Sequence, residues 1–170
     1  MPIQNVLMDY GTWLNPPDNY YPHADDSYMS VDSYKRPLIH FANDGFSGQI
    51  LSANLYVYCS AVPDRIGVTG YRVNRAYNNA LAAWATPWGV PGCDQISEDR
   101  SNTPALTGDI QYTGWTACPI VNLNELLAII NGLDAILLIG ADGIATIAKS
   151  PAPYLAIEYK TSIVGGIQIF

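Results

Sequence analysis

The chain has 170 residues with a formal net charge of −7, from 8 Lys and Arg against 15 Asp and Glu. That length suits one domain able to bury a core without disulfide staples. The few basic residues are scattered singly, which argues against a nucleic-acid partner and against docking on an anionic membrane. Charged residues make up only 14% of the chain and tyrosine is frequent, at 12 residues. This composition fits a protein that works assembled or bound, because Tyr couples a large apolar body to a polar tip.

Residues 1–24 are rich in Pro, Asn and Tyr and show no clear period, so they read as an extended N-terminal arm. The opening residues lack the basic start and continuous apolar run of a signal peptide. Strand signals begin at DSYMSV (26–31) and continue in PLIHF (37–41) and ILSANLYVYCSA (50–61), with NDG (43–45) as a turn between the last two. The third run alternates: Leu51, Ala53, Leu55, Val57 and Cys59 share one face, and Ser52, Asn54, Tyr56, Tyr58 and Ser60 the other. IGVTGYRVN (66–74) is a further strand, where Gly67 and Gly70 suggest a bulge or bend. NRAYNNALAAWA (74–85) has the composition of a short helix, and 86–108 reads as a long loop. A loop of that length is functional or packed at an interface.

GDIQYTGWTACPI (108–120) reads as two strands broken at Thr113-Gly114, with Trp115 plugging one end of the fold. NLNELLAIINGL then changes period. Asn122 with Glu125 is a capping-box pattern, and Asn131-Gly132 a stop. Strands at 134–141, 144–150 and 153–161 follow, with a hairpin turn at 141–143 between the first two. Many short strands and one small helix predict an antiparallel β-sandwich, all-β in class. The tail SIVGGIQIF (162–170) is apolar and uncharged, so it reads as a second arm that pairs with an edge, with Ile163, Val164, Ile167, Ile169 and Phe170 as interface residues.

In order, DDSYMSV, RPLIHF, GQILSANLYVYCSA, IGVTGYRVNRAY, ATPWGVPG, GWTACPIVNLNELLAIING, AILLIGA and PAPYLAIEYK resemble the DNRLRE-domain (disaggregatase-related) family over about residues 25–161. The resemblance implies a jelly-roll sandwich like that of carbohydrate-binding modules, found in extracellular and surface proteins without catalytic activity of its own. The chain thus divides into an arm (1–24), a jelly roll (25–161) and a β-prone arm (162–170).

Chemistry-bearing residues are sparse. His23 and His40 are the two histidines, and His40 reads as a sheet histidine rather than a base. Asp25, Asp26, Asp94, Glu98 and Asp99 read as solvated acidic loops, with a structural calcium as the alternative. Three cysteines make a poor disulfide framework and leave room for one bridge, Cys93 to Cys118. No catalytic set, cofactor or phosphate-cradling glycine motif emerges. Tyr56, Tyr58, Tyr71, Trp84 and Trp88 could line a stacking platform or serve as core and interface anchors.

Two functions follow as expectations. The leading one is a non-enzymatic structural protein of a virion or similar extracellular assembly, such as a capsid decoration or cement protein. It would form a dimer or trimer and clamp a major shell protein through its arms. The alternative is a carbohydrate-binding module that grips a polysaccharide with its tyrosine-rich face.

Overall fold

The structure is a computed structural model that describes residues 1–42, 46, 48–132, 134–161, 163, 164, 167 and 168. Among the described residues, twelve strands, one α-helix and one 3-10 turn (Pro16–Asp18) follow in chain order. The first five strands are β1 (Ile3–Leu14), β2 (Tyr28–Val31), β3 (Arg36–Phe41), β4 (Gln49–Asp64) and β5 (Ile66–Val73). Then come β6 (Arg100–Ile110), β7 (Gly114–Pro119), helix α1 (Leu123–Asn131), β8 (Ala135–Ala141), β9 (Ile144–Ala148) and β10 (Tyr154–Lys160). The last two are β11 (Ile163–Val164) and β12 (Ile167–Gln168).

Pairing between the strands of the body is antiparallel, as an all-β sandwich requires. One sheet contains β3-β8-β5-β6 and the other β2-β9-β4-β7. The two layers pack face to face as a β-sandwich around one main core. β10 continues the edge of β4 beyond β9, and β1 lies against β10. The turn at 141–143, expected to close a hairpin, instead carries the chain across layers. β8 lies in one sheet and β9 in the other, and Asp142 and Gly143 take positive φ of 51° and 148° there. The expected turn at 43–45 lies outside the described residues.

The N-terminal segment is no arm. Residues 3–7 pair with β10, and residues 8–14 pair with β3 in the opposite sheet, so β1 ties the two layers together. The register slips between Met8 and Tyr10, leaving Asp9 as a bulged residue where the strand changes sheets. Both sides of its second half are buried, which erases the two-residue period.

The main core lies between the sheets and includes Phe41, Leu55, Val57, Ile147 and Leu155. The alternation expected for β4 holds from Ala53 to Cys59. It fails at Leu51, a bulged residue opposite β10, so Ile50 turns inward instead. Helix α1 covers the core with Leu126, Ile129 and Ile130. Asn122 caps it, its side chain accepting from the amides of Asn124 (3.1 Å) and Glu125 (3.2 Å). Glu125 does not complete a reciprocal box but pairs with Arg72 at 2.9 Å. The bend foreseen in β5 is a register slip between Gly70 and Tyr71. A Cβ at Gly70 would come within 2.5 Å of Leu106.

A second core sits on the outer face of β3 and β8. Leu14, Leu38, Val73, Ala135 and Leu137 pack there against Ala82, Trp88 and Cys93. The segment 74–99 forms this cover without the helix expected at 74–85. Asn78 caps a single turn, its side chain accepting from the Ala80 amide and its carbonyl from those of Leu81 and Ala82, and the turn goes no further because the Ala83 and Ala85 amides donate to the Thr86 and Asn19 carbonyls instead. The loop expected to reach residue 108 ends at β6, which begins at Arg100.

Asp99 organises the cover. Fully buried, it accepts from the amides of Gly89 (2.9 Å), Val90 (3.1 Å) and Gln95 (3.2 Å) and pairs with Arg75 at 2.5 Å. Burial alone would raise its pKa. The backbone N–H groups of Gly89 and Val90, then the Arg75 guanidinium and the Gln95 amide, outweigh burial and hold it below the ordinary carboxylate value. Gly92 packs beneath Trp84 at φ +84°, where a Cβ would come within 2.6 Å of the ring. Its carbonyl accepts from Arg36, which also lies over Trp84 at 5.1 Å.

All three cysteines are free and buried, so the Cys93–Cys118 bridge is absent. The two lie in different layers, Cys93 in the outer cover and Cys118 in the main core. Burial pushes the Cys59 thiol up to about 11 and the Cys118 thiol up to about 12, and raises Cys93 further, with Asp99 adding to the rise. A thiolate is the reactive form. Ellman's reagent at pH 8 is expected to find no fast-reacting thiol in the folded protein and three after denaturation. A fast-reacting thiol in the folded state would contradict this packing.

Candidate functional site

The candidate site is the outward face of β1, β10, β4 and β7, and strand register builds it row by row. Tyr58 faces Trp115. Two residues along, Leu7, Tyr154, Tyr56 and Ala117 form a row across four strands. The next row is Asn5, Ala156, Asn54 and Pro119, and beyond it lie Ile3, Glu158 and Ser52. Residues two apart on a strand point the same way at about 6.8 Å spacing, so these four rows span roughly 20 Å.

The aromatic end is a continuous ridge. Tyr56 stacks on Tyr154 with ring centroids 4.9 Å apart and planes 6° from parallel. Trp115 meets Tyr154 edge-on at 5.3 Å and Tyr58 at 5.5 Å. Trp115 is 47% exposed and stands on the outside of the sandwich. It therefore does not plug one end; its neighbours Thr116 and Cys118 take the inward positions on β7. Next to the ridge runs a groove of about 230 Å³ lined by Ile3, Ser52, Asn54, Tyr56, Ala156 and Glu158. Ser52 Oγ donates to Glu158 Oε2 at 2.9 Å.

The other candidate aromatics lie apart from this ridge. Tyr71 is on β5 in the opposite sheet, covered by the Arg100 guanidinium at 4.4 Å. Trp84 lies beneath Arg36 in the outer cover. Trp88 is buried, with its indole N–H donating to the Ala83 carbonyl at 2.8 Å. These three anchor the fold. Sequence reasoning missed Tyr154, and the signal was available: the alternation in YLAIEYK puts Tyr154, Ala156 and Glu158 on one face.

No protein-family model matches the chain, and no curated protein is significantly similar to it.

The titratable clusters are structural in character. His40 is buried, stacks on Tyr10 at 4.0 Å and bonds through Nδ1 to Asp9 at 2.6 Å, while its Nε2 has no partner among the described residues. The bulge at Asp9 aims that carboxylate at the ring. His23 stacks on Trp13 and bonds to Asp26 at 2.9 Å and Asp18 at 3.2 Å, and Asp26 also accepts from the Trp13 indole.

Of the acidic residues considered for calcium, Asp94, Glu98 and Asp99 are occupied by donors, and Asp26 is held by Trp13 and His23. Asp94 faces Arg36 at 3.2 Å and Arg100 at 3.3 Å, Glu98 faces Arg75, and Asp99 is saturated as described. Cations already neutralise that cluster, so it does not fit a Ca²⁺ site. Among the described residues, no three His, Cys, Asp or Glu side chains converge as a metal site. No helix among the described residues is long and apolar enough to cross a membrane.

Proposed function

We propose that the protein is a non-enzymatic jelly-roll binding module that grips a polysaccharide on the outer face of β10, β4 and β7. The observation that carries this reading is the ridge of Tyr56, Tyr154, Tyr58 and Trp115 beside a polar groove. Sugar rings present flat apolar faces that stack on aromatics, while their hydroxyls need donors and acceptors at the rim, as Ser52, Asn54 and Glu158 supply. The ordered likeness to the DNRLRE domain supports the same reading.

Affinity electrophoresis through gels containing polysaccharides tests it. The protein is expected to be retarded by at least one polymer, and Trp115→Ala to lose that retardation with an unchanged melting temperature. Retardation by no polymer, or equal retardation of Trp115→Ala, would sink the reading.

One observation favours a second role, in assembly. β11 and β12 pair with each other and, among the described residues, with none of the ten strands of the body. Such a hairpin carries strand edges able to accept a neighbour. This supports a clamp on a second subunit or on a shell protein at a virion surface, made by residues 162–170 alone, since β1 is built into the sandwich. Ile163, Val164 and Ile167 lie in this hairpin, whereas Ile169 and Phe170 lie outside the described residues.

A further inference from the structure

We infer that this face selects uncharged or amine-bearing glycans and rejects acidic ones, with Glu158 as the selecting group. The inference rests on the saccharide reading above and names the ligand class for that site.

The argument is one of charge along the rows. From the Tyr58–Trp115 row to the Ile3–Glu158–Ser52 row, the outward residues are aromatic, aliphatic, amide or hydroxyl, with one charged side chain, Glu158. None of them is Lys or Arg. Lys160, opposite Gln49, comes only one row further out, beyond Glu158. A chain lying on Tyr56 and Tyr154 and running down the groove meets the carboxylate before it reaches that cation.

Ser52 occupies Oε2 of Glu158. An ionised carboxylate has about four acceptor positions, so Glu158 keeps capacity to accept from a ligand hydroxyl or ammonium. Ile3, on the other side of Glu158, is an exposed apolar residue that brings no cation to the row. A uronate or sulfate in the groove would face this carboxylate without a compensating cation, and the net charge of −7 opposes it at longer range. A hydroxyl or a protonated amine meets an acceptor instead, and an ionised acceptor makes the stronger hydrogen bond.

The test is a glycan array with neutral, acidic and free-amine glycans on shared backbones, run with wild type, Trp115→Ala and Glu158→Gln. The oligomeric state of each protein is measured alongside. Wild type is expected to bind neutral or amine-bearing glycans, with acidic counterparts at least about tenfold weaker. Glu158→Gln, which keeps an acceptor for Ser52, should shrink that gap to within about threefold, while Trp115→Ala weakens every bound glycan.

If acidic glycans bind best, or Glu158→Gln leaves the discrimination unchanged, the charge inference is wrong and the saccharide reading stands. If no glycan binds, both fall. A wild-type dimer that Trp115→Ala splits, with no glycan bound, would assign the face to contact between two copies.

Discussion

Asp99→Ala is expected to cost about 3–5 kcal/mol, the usual result of removing one partner from a buried charged network. Asp99 has no exposed surface, and its carboxylate gathers three backbone amides and one guanidinium. Removing it leaves Arg75 without its closest partner and three N–H groups unsatisfied. The damage should concentrate in the 74–99 cover, because the main core between the sheets does not use this network. Hydrogen exchange is expected to accelerate at residues 89–99 before the sheet strands are affected.

The pH dependence has a definite sign. The folded pKa of Asp99 is lowered, so the stability it contributes is complete above the unfolded value of about 3.9 and fades as pH falls through the folded value. Urea midpoints for wild type and Asp99→Asn should therefore differ most at neutral pH and converge in acid below about pH 4. A constant difference down to pH 2 would show that the charge of Asp99 is not what holds the cover.

The second expected result is a dissociation between adjacent residues of β4. Leu55 lies in register with Leu155 on one side and Cys118 on the other, all inside the core, and Leu55 itself is fully buried. Leu55→Ala should cost about 2–5 kcal/mol, the transfer energy of the lost methyl and methylene groups plus the cavity they leave. Tyr56, the next residue, points outward and stacks on Tyr154. Tyr56→Ala removes one half-exposed aromatic contact and should cost no more than about 1.5 kcal/mol. It should nevertheless weaken retention on a bound polysaccharide by about tenfold or more, as loss of one stacked ring does.

Leu55→Ala should do the reverse, keeping affinity in whatever fraction stays folded. Chemical denaturation paired with affinity electrophoresis on both variants separates the two effects. Equal stability losses would mean that the assigned faces of β4 are wrong. Loss of binding in Leu55→Ala alone would remove the site from this sheet.

Much of the fold was legible wherever a segment buries one side only. The run from Ala53 to Cys59 alternates because its inner side meets the opposite sheet and its outer side meets solvent. Helix α1 was legible for a similar reason: its apolar stripe and its Asn122 cap are both local. Strand pairing was not legible in this way, because periodicity is blind to which strand meets which.

The failures have a common cause. The segment 74–99 forms a third layer of packing on the outer face of the sheet that holds β3 and the second half of β1, so residues such as Thr12, Leu14, Leu38 and His40 are buried on the side that a two-layer sandwich leaves wet. With both sides covered, the period-two signal disappears, and β1 looks like an unstructured arm. The bulge at Asp9 then shifts the phase of what remains. Non-helical pairing of the Ala83 and Ala85 amides with Thr86 and Asn19 likewise overrides the helical composition of the residues around them.

The candidate site divides along the same line. Sequence alone placed Tyr56 and Tyr58 together on a wet face, since alternation is a property of one strand. Only the tertiary structure brought Tyr154 from β10 and Trp115 from β7 to the same ridge and set Glu158 at its far end, because register between strands remote in sequence is decided by the packing of the whole sandwich. The same packing dispersed Tyr71, Trp84 and Trp88 into the other sheet and its cover, where their rings fill space and hold arginines. Local spacing determines which way a side chain faces along its own strand, and long-range pairing determines what it stands beside.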